Sequence, residues 1–193
     1  MKYATDKCIA WNELRYEQEY DYNLAVKLLL EETNELFASD TIVDVLDAVG
    51  DITFVAVGVM WKLGMTNGTI KSYFYDNDLT KVSIEECHNL CCLINNQHME
   101  AMENYEGGFP GLHLACYSVF ITAISALRGI GMQASFYDIF DAICVSNDTK
   151  EVKGKTLSSI KANISKGKGF IPPTAKLQQI RDLYNVPVGA VRQ

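Results

Sequence analysis

The chain has 193 residues, with 24 acidic and 17 basic side chains, a formal net charge of −7 and 48% apolar residues. That is enough for one domain with a sizeable core and too apolar for a disordered chain, while the acidity argues against a protein that coats nucleic acid. With only 4 prolines and 13 glycines to interrupt it, the sequence suits long helices.

The six cysteines, Cys8, Cys87, Cys91, Cys92, Cys116 and Cys144, lack the spacing of a secreted disulfide scaffold, and the first twenty residues lack the apolar core of a signal peptide. A cytoplasmic protein with reduced, mostly buried thiols is therefore expected. The longest apolar runs, Ile52 to Trp61 and Leu114 to Leu127, fall short of the roughly 18–20 residues that a membrane span needs.

In chain order, apolar residues at three- and four-residue steps predict an amphipathic helix from about Tyr20 to Phe37. Ser39 and Asp40 then offer cap chemistry for a second helix from about Ile42 to Leu63, closed by Gly64. The β-branched run Ile52 to Val59 could be argued as a strand, but it continues the helical spacing of Asp44, Asp47 and Asp51. Residues 65–82 read as a polar loop or short helix. A third long helix is expected from Ser83 to about Tyr105, with Ser83 and Glu86 as a capping box. Gly107, Gly108 and Pro110 mark a break, and helices from about His113 to Arg128 and from Phe136 to Val145 follow. A basic loop through Pro172 and Pro173 leads to a last short helix near Ala175 to Tyr184.

Residues 53–65 echo residues 120–132, so the fold expected is an all-α bundle of two packed helical hairpins with a basic C-terminal segment. The second half of this degenerate repeat has Leu114 and Ser118 where the first has Asp47 and Asp51.

Charge is segregated along the chain. Between positions 31 and 51 lie Glu31, Glu32, Glu35, Asp40, Asp44, Asp47 and Asp51 and no base, which leaves 17 acids against 17 bases elsewhere. From Lys150 to Arg181, eight basic residues accompany the single acid Glu151. On helices, Glu31, Glu32 and Glu35 share one flank and Asp44, Asp47 and Asp51 fall in one stripe, so a hairpin would set the two rows of carboxylates face to face. Such a row is either a solvated acidic face or a site for a hard cation such as Mg²⁺ or Mn²⁺, which also binds phosphate oxygens. The core-type neighbours of Asp47 and Asp51 predict that both are partly buried, and Gly50 would allow a close helix approach.

Glu31-Glu32-Thr33-Asn34-Glu35, followed by Asp47-Ala48-Val49-Gly50-Asp51-Ile52, resembles the paired acidic signature of the all-α nucleoside triphosphate pyrophosphohydrolases, the superfamily of MazG-type enzymes and dimeric dUTPases. Ser146 to Lys150 and Lys166 to Pro173 are similar to the C-terminal elements of longer members. One departure is visible, because the usual Glu-x-x-Asp of the second helix has Ala48 at its first position. The resemblance implies a single domain over 1–193, with a metal-binding hairpin over about 20–64 and a basic substrate-closing segment over about 146–184. It implies Mg²⁺ (or Mn²⁺) held by Glu32, Glu35, Asp47 and Asp51, with Asp44 as the alternative to Asp47. Glu31 would position or deprotonate the attacking water. The reaction implied splits a nucleoside triphosphate, such as dUTP or dCTP, into monophosphate and pyrophosphate for nucleotide-pool control, in a homodimer. Lys150, Lys166 and Lys168 are then candidate triphosphate ligands, with Ser146 and Asn147 as hydrogen-bond donors. Phe54, Trp11 and Phe170 are candidate stacking platforms, and Asn12 a reader of a base edge.

Cys87, His88, Cys91 and Cys92 do not have zinc-pair spacing, and the glycines near 167–169 do not form a phosphate-binding Walker loop. Two other readings compete with an enzyme: an acidic helical protein that docks on a basic partner, and a family member that binds nucleotide without turnover.

Overall fold

The computed structural model describes residues 4–16, 21–75, 110–152 and 164–184. Seven α-helices lie among these residues: α1 (Ala4–Arg15), α2 (Tyr22–Ala38), α3 (Ile42–Lys62), α4 (Asn67–Tyr75), α5 (Pro110–Gly129), α6 (Phe136–Asp148) and α7 (Thr174–Leu183). The protein is all-α. Its only β-strands among the described residues form a two-residue antiparallel ladder, β1 (Glu151–Val152) with β2 (Ile164–Ser165), in which Glu151 faces Ser165 and Val152 faces Ile164. No described helix is long and apolar enough to cross a membrane.

The architecture follows from α3. A helix that is apolar on most of its circumference is stable only when neighbours cover it, and sixteen of the 21 residues of α3 are buried. Helices α1, α2, α5, α6 and α7 all pack against it. The β-branched run 52–59 is thus helical and, apart from half-buried Val55, covered, its strand propensity overridden by packing.

Asp21 starts α2 by accepting from Leu24 N at 3.0 Å. Residues 39–41 then turn the chain into α3, so that α2 and α3 form the expected hairpin. The cap differs from expectation. Thr41, not Ser39 or Asp40, is the N-cap of α3, and Asp44 completes its capping box by accepting from Thr41 N (2.9 Å) and Thr41 Oγ1 (2.7 Å). Ser39 belongs to the end of α2, where its hydroxyl donates to Glu35 O.

The internal echo is visible at two helix ends. Gly64 and Gly131 both take the left-handed conformation, with φ of 79° and 73°. Each is followed by a residue whose N–H reaches back five positions, Met65 to Met60 O and Met132 to Leu127 O. These are Schellman closures at matching points of the two segments. The first arm of the expected second hairpin, 83–105, lies outside the described residues, as do Cys87, His88, Cys91, Cys92 and the glycines at 107–108. Cys8, Cys116 and Cys144 are buried free thiols, and burial pushes the Cys116 thiol up to about 12.

Candidate functional site

Along α3, Asp51, Val55 and Gly58, and likewise Asp51, Phe54 and Gly58, are spaced by three and four residues and therefore form one stripe. That stripe faces α1, α2 and the C-terminal segment across a cavity of about 240 Å³. Its inner wall is aromatic and apolar, with Trp11, Tyr16, Leu28 and Phe54, and its rim carries Glu32, Asp51, Lys150 and Lys166. A single space is thus lined by aromatic and apolar side chains together with charged ones, to which Asp21 and Lys62 also belong.

Part of the aromatic lining is built by α1, a helix absent from the periodicity reading. Trp11 stands edge-on to Phe54 with ring centroids 5.0 Å apart, and its Nε1 donates to Asn147 O at 2.9 Å, tying α1 to the end of α6. Asn12 is only 4% exposed. Its Nδ2 donates to Cys8 O at 2.9 Å, which leaves Oδ1 beside Gly58; a Cβ on Gly58 would stand 3.2 Å from that oxygen. Tyr16 Oη is buried without a hydrogen-bond partner among the described residues, and the Lys62 ammonium lies 4.6 Å from the Tyr16 ring centre.

Among the charged groups the carboxylates are uncomfortable. Burial, followed by the neighbouring charge of Asp47, pushes the Asp51 carboxyl up to about 7, although Lys150 pulls the other way. Asp47 is also raised, again by burial first; Lys166 lowers it and Glu35 raises it. Burial lowers Lys150, and Asp51 partly offsets that. Two lysines are therefore set against a partly buried aspartate pair whose charge they do not cancel. Among the described residues, no three acid, histidine or cysteine side chains are drawn together closely enough to enclose a metal ion.

The remaining expected site residues divide. Glu32 lines the cavity. Glu35 is exposed and acts on Asp47 and Asp51 through its charge. Glu31 is half-buried and off the cavity wall. Asp44 is taken up by the cap of α3, and neither it nor Asp47 lines the cavity, although Asp47 acts on Asp51 through its charge. Asn147 lines the cavity, but Ser146 does not: its hydroxyl donates to Ile171 O at 2.8 Å, so it is not placed as a ligand. Lys168 is exposed and does not line the cavity. Phe170 is also off the wall and lies under the Lys166 ammonium, 5.2 Å from its ring centre. Sequence reasoning missed Tyr16, Leu28 and Lys62; the apolar spacing of Ala4, Cys8 and Trp11 was the signal that could have revealed α1 and, with it, Tyr16. No family model matches the chain, and neither does any curated protein or solved structure.

Proposed function

We propose that the protein is a Mg²⁺-dependent nucleoside triphosphate pyrophosphohydrolase of the all-α, MazG-like kind, acting on a pyrimidine deoxynucleotide. The observation that carries this reading is a cavity lined both by aromatic side chains and by Lys150 and Lys166. Trp11, Phe54 and Asn12 offer a base an apolar slot with one acceptor, Asn12 Oδ1, for an N–H of its edge. Lys150 and Lys166, which line the same cavity, suit a chain of phosphates. A volume of about 240 Å³ lies just below the roughly 300–1,000 Å³ of ligand pockets, which favours a single-ring base with its phosphates at the open rim.

Glu32, Glu35, Asp47 and Asp51 are the residues that would hold the cation. They fit it in chemistry, being hard oxygen donors with charge left uncancelled by the two lysines. Bound there, the ion would neutralise phosphate oxygens and lower the pKa of a water. The chain's own residues do the rest: the lysines orient the phosphates, the aromatic wall fixes the base, and Glu31, off the cavity wall but next to Glu32 on α2, is the carboxylate that the resemblance names for the proton of the water attacking the α-phosphorus. The bond to the β-phosphate breaks and pyrophosphate leaves. A cytoplasmic homodimer belongs to the same proposal, supported by Leu30 and Phe37, which lie seven residues apart on α2 and are 57% and 77% exposed.

A panel of canonical and modified triphosphates with pyrophosphate detection tests the proposal. Glu35→Gln is expected to lower turnover by about 100-fold or more with an unchanged helical circular dichroism signal; full activity in that variant removes the metal assignment. An acidic docking protein would instead bind without regard to phosphate number, and an inactive nucleotide binder would bind without releasing pyrophosphate. Gly58→Ala crowds Asn12 and is expected to raise KM roughly three- to tenfold with little change in thermal midpoint, since alanine favours the helix. An unaltered KM for every base would remove Asn12 from base recognition.

A further inference from the structure

The two lysines of the rim come from segments far apart in sequence, and the structure shows how they are brought together. At the end of α6, Thr149 N bonds to Ser146 O (3.0 Å) and Lys150 N to Asn147 O (3.1 Å), a tight turn that fixes where Lys150 leaves the helix. The same turn holds the other segment. The Thr149 hydroxyl donates to Ser146 O at 2.7 Å and accepts from Ile171 N at 2.9 Å, while Ser146 Oγ donates to Ile171 O. Both backbone polar groups of Ile171 are thus held by side chains of α6 and its cap. The Ile171 side chain itself is 64% exposed, so these bonds rather than its own burial hold this residue in place.

Lys166 lies between this tie and a second anchor. Ser165 pairs with Glu151 in the ladder, and Gly167 passes directly beneath the Glu151 carboxyl, where a Cβ would stand 1.8 Å from Cδ. A turn from Gly167 O to Phe170 N closes the loop between the anchors. An exposed lysine on an untied loop would move away from a neighbouring ammonium, because like charges repel.

We propose that Thr149 is a positioning residue: by holding Ile171 it keeps Lys166 opposite Lys150, so that the two ammonium groups grip neighbouring phosphates of one substrate. The inference rests on the phosphate-binding reading of the cavity given above. It assigns no contact with substrate to Thr149.

Calorimetric binding of inorganic tripolyphosphate, alongside KM and kcat for the best triphosphate, tests it. Thr149→Val is expected to weaken tripolyphosphate binding roughly fivefold, the equivalent of one hydrogen bond, and to raise KM by a similar factor while kcat stays within about twofold. Thr149→Ser should restore both values. In a Lys166→Ala background, Thr149→Val should add no further loss. Gly167→Ala, which disturbs the other anchor, should couple to Lys166 in the same way and gives an independent reading if Thr149→Val folds poorly. An equal loss with and without Lys166, a silent Thr149→Val, or a wild-type protein that does not bind tripolyphosphate overturns the proposal. A wild-type protein that binds tripolyphosphate with these couplings but releases no pyrophosphate from any nucleotide overturns the hydrolase reading and leaves the lysine clamp standing.

Discussion

Asp51→Asn is expected to stabilise the metal-free protein at pH 8 while lowering hydrolysis by about 1,000-fold. The two effects have one cause. Asp51 sits partly buried beside Asp47, and burial first, then that neighbour, lifts its carboxyl to about 7 despite Lys150 and Lys166. In the unfolded chain the same group titrates near 4. Between those values the folded protein holds a proton that the unfolded chain has lost, so stability is greatest below about pH 4, declines as pH rises toward 7, and has lost this contribution above it. Asparagine removes the charge and with it the decline. The expected gain at pH 8 is on the order of 2 kcal/mol, or a few degrees in thermal midpoint, and it should vanish near pH 4. Adding Mg²⁺ at pH 8 should stabilise the wild-type protein and leave the variant unmoved. Chemical denaturation at both pH values, with and without Mg²⁺, checks all of this. A variant destabilised equally at both would mean that the Asp51 charge is well compensated in the fold, and the cation proposal would lose its main support.

What could be read in the sequence, and what could not, separates along physical lines. The α2–α3 hairpin was legible because helical periodicity is local, and the acid window was legible because composition alone reveals it. The partial burial of Asp47 and Asp51 followed from their apolar neighbours, and the structure agrees. Helix α1 was not legible in the same way: its buried side includes Thr5 and Asn12, so polar and apolar residues do not sort cleanly by face. Ser146 and Lys168 were plausible ligands by residue type. Which side chains of that segment face the cavity depends on a two-residue ladder and on the tie between Thr149 and Ile171, long-range pairings that no periodicity encodes. Asp44 shows the opposite case. Thr41 and Asp44 carry the spacing of a capping box, so its local role was readable, but its place in a row of acids drew attention away from it.

Gly50→Ala sets two effects of known sign against each other. Alanine in a helix interior gains about 1 kcal/mol over glycine, whereas overpacking a filled core costs roughly 1–3 kcal/mol. Geometry decides between them. A Cβ on Gly50 would stand 2.2 Å from Ile143 Cγ1 and 3.3 Å from Ile143 Cβ, so the obstacle is the branched root of a fully buried side chain rather than a mobile tip. Helix α6 must therefore move away from α3, and a net destabilisation of about 1–2 kcal/mol is expected. The displacement should reach the site, because Ile143, Asn147 and Lys150 fall at i, i+4 and i+7 and travel together as the end of α6 shifts. Lys150 would then be drawn away from Asp51, the first charge that offsets its burial, and KM for a triphosphate should rise along with the loss of stability. Ile143→Ala opens the missing space, at a cost of roughly 2–4 kcal/mol on its own. Combined with Gly50→Ala it should cost less than the sum of the two changes and recover part of KM. Denaturant titrations of the two single variants and the double variant measure the coupling; strict additivity, or a Gly50→Ala protein more stable than wild type, would show that α3 and α6 do not approach as closely at Gly50 as the structure places them.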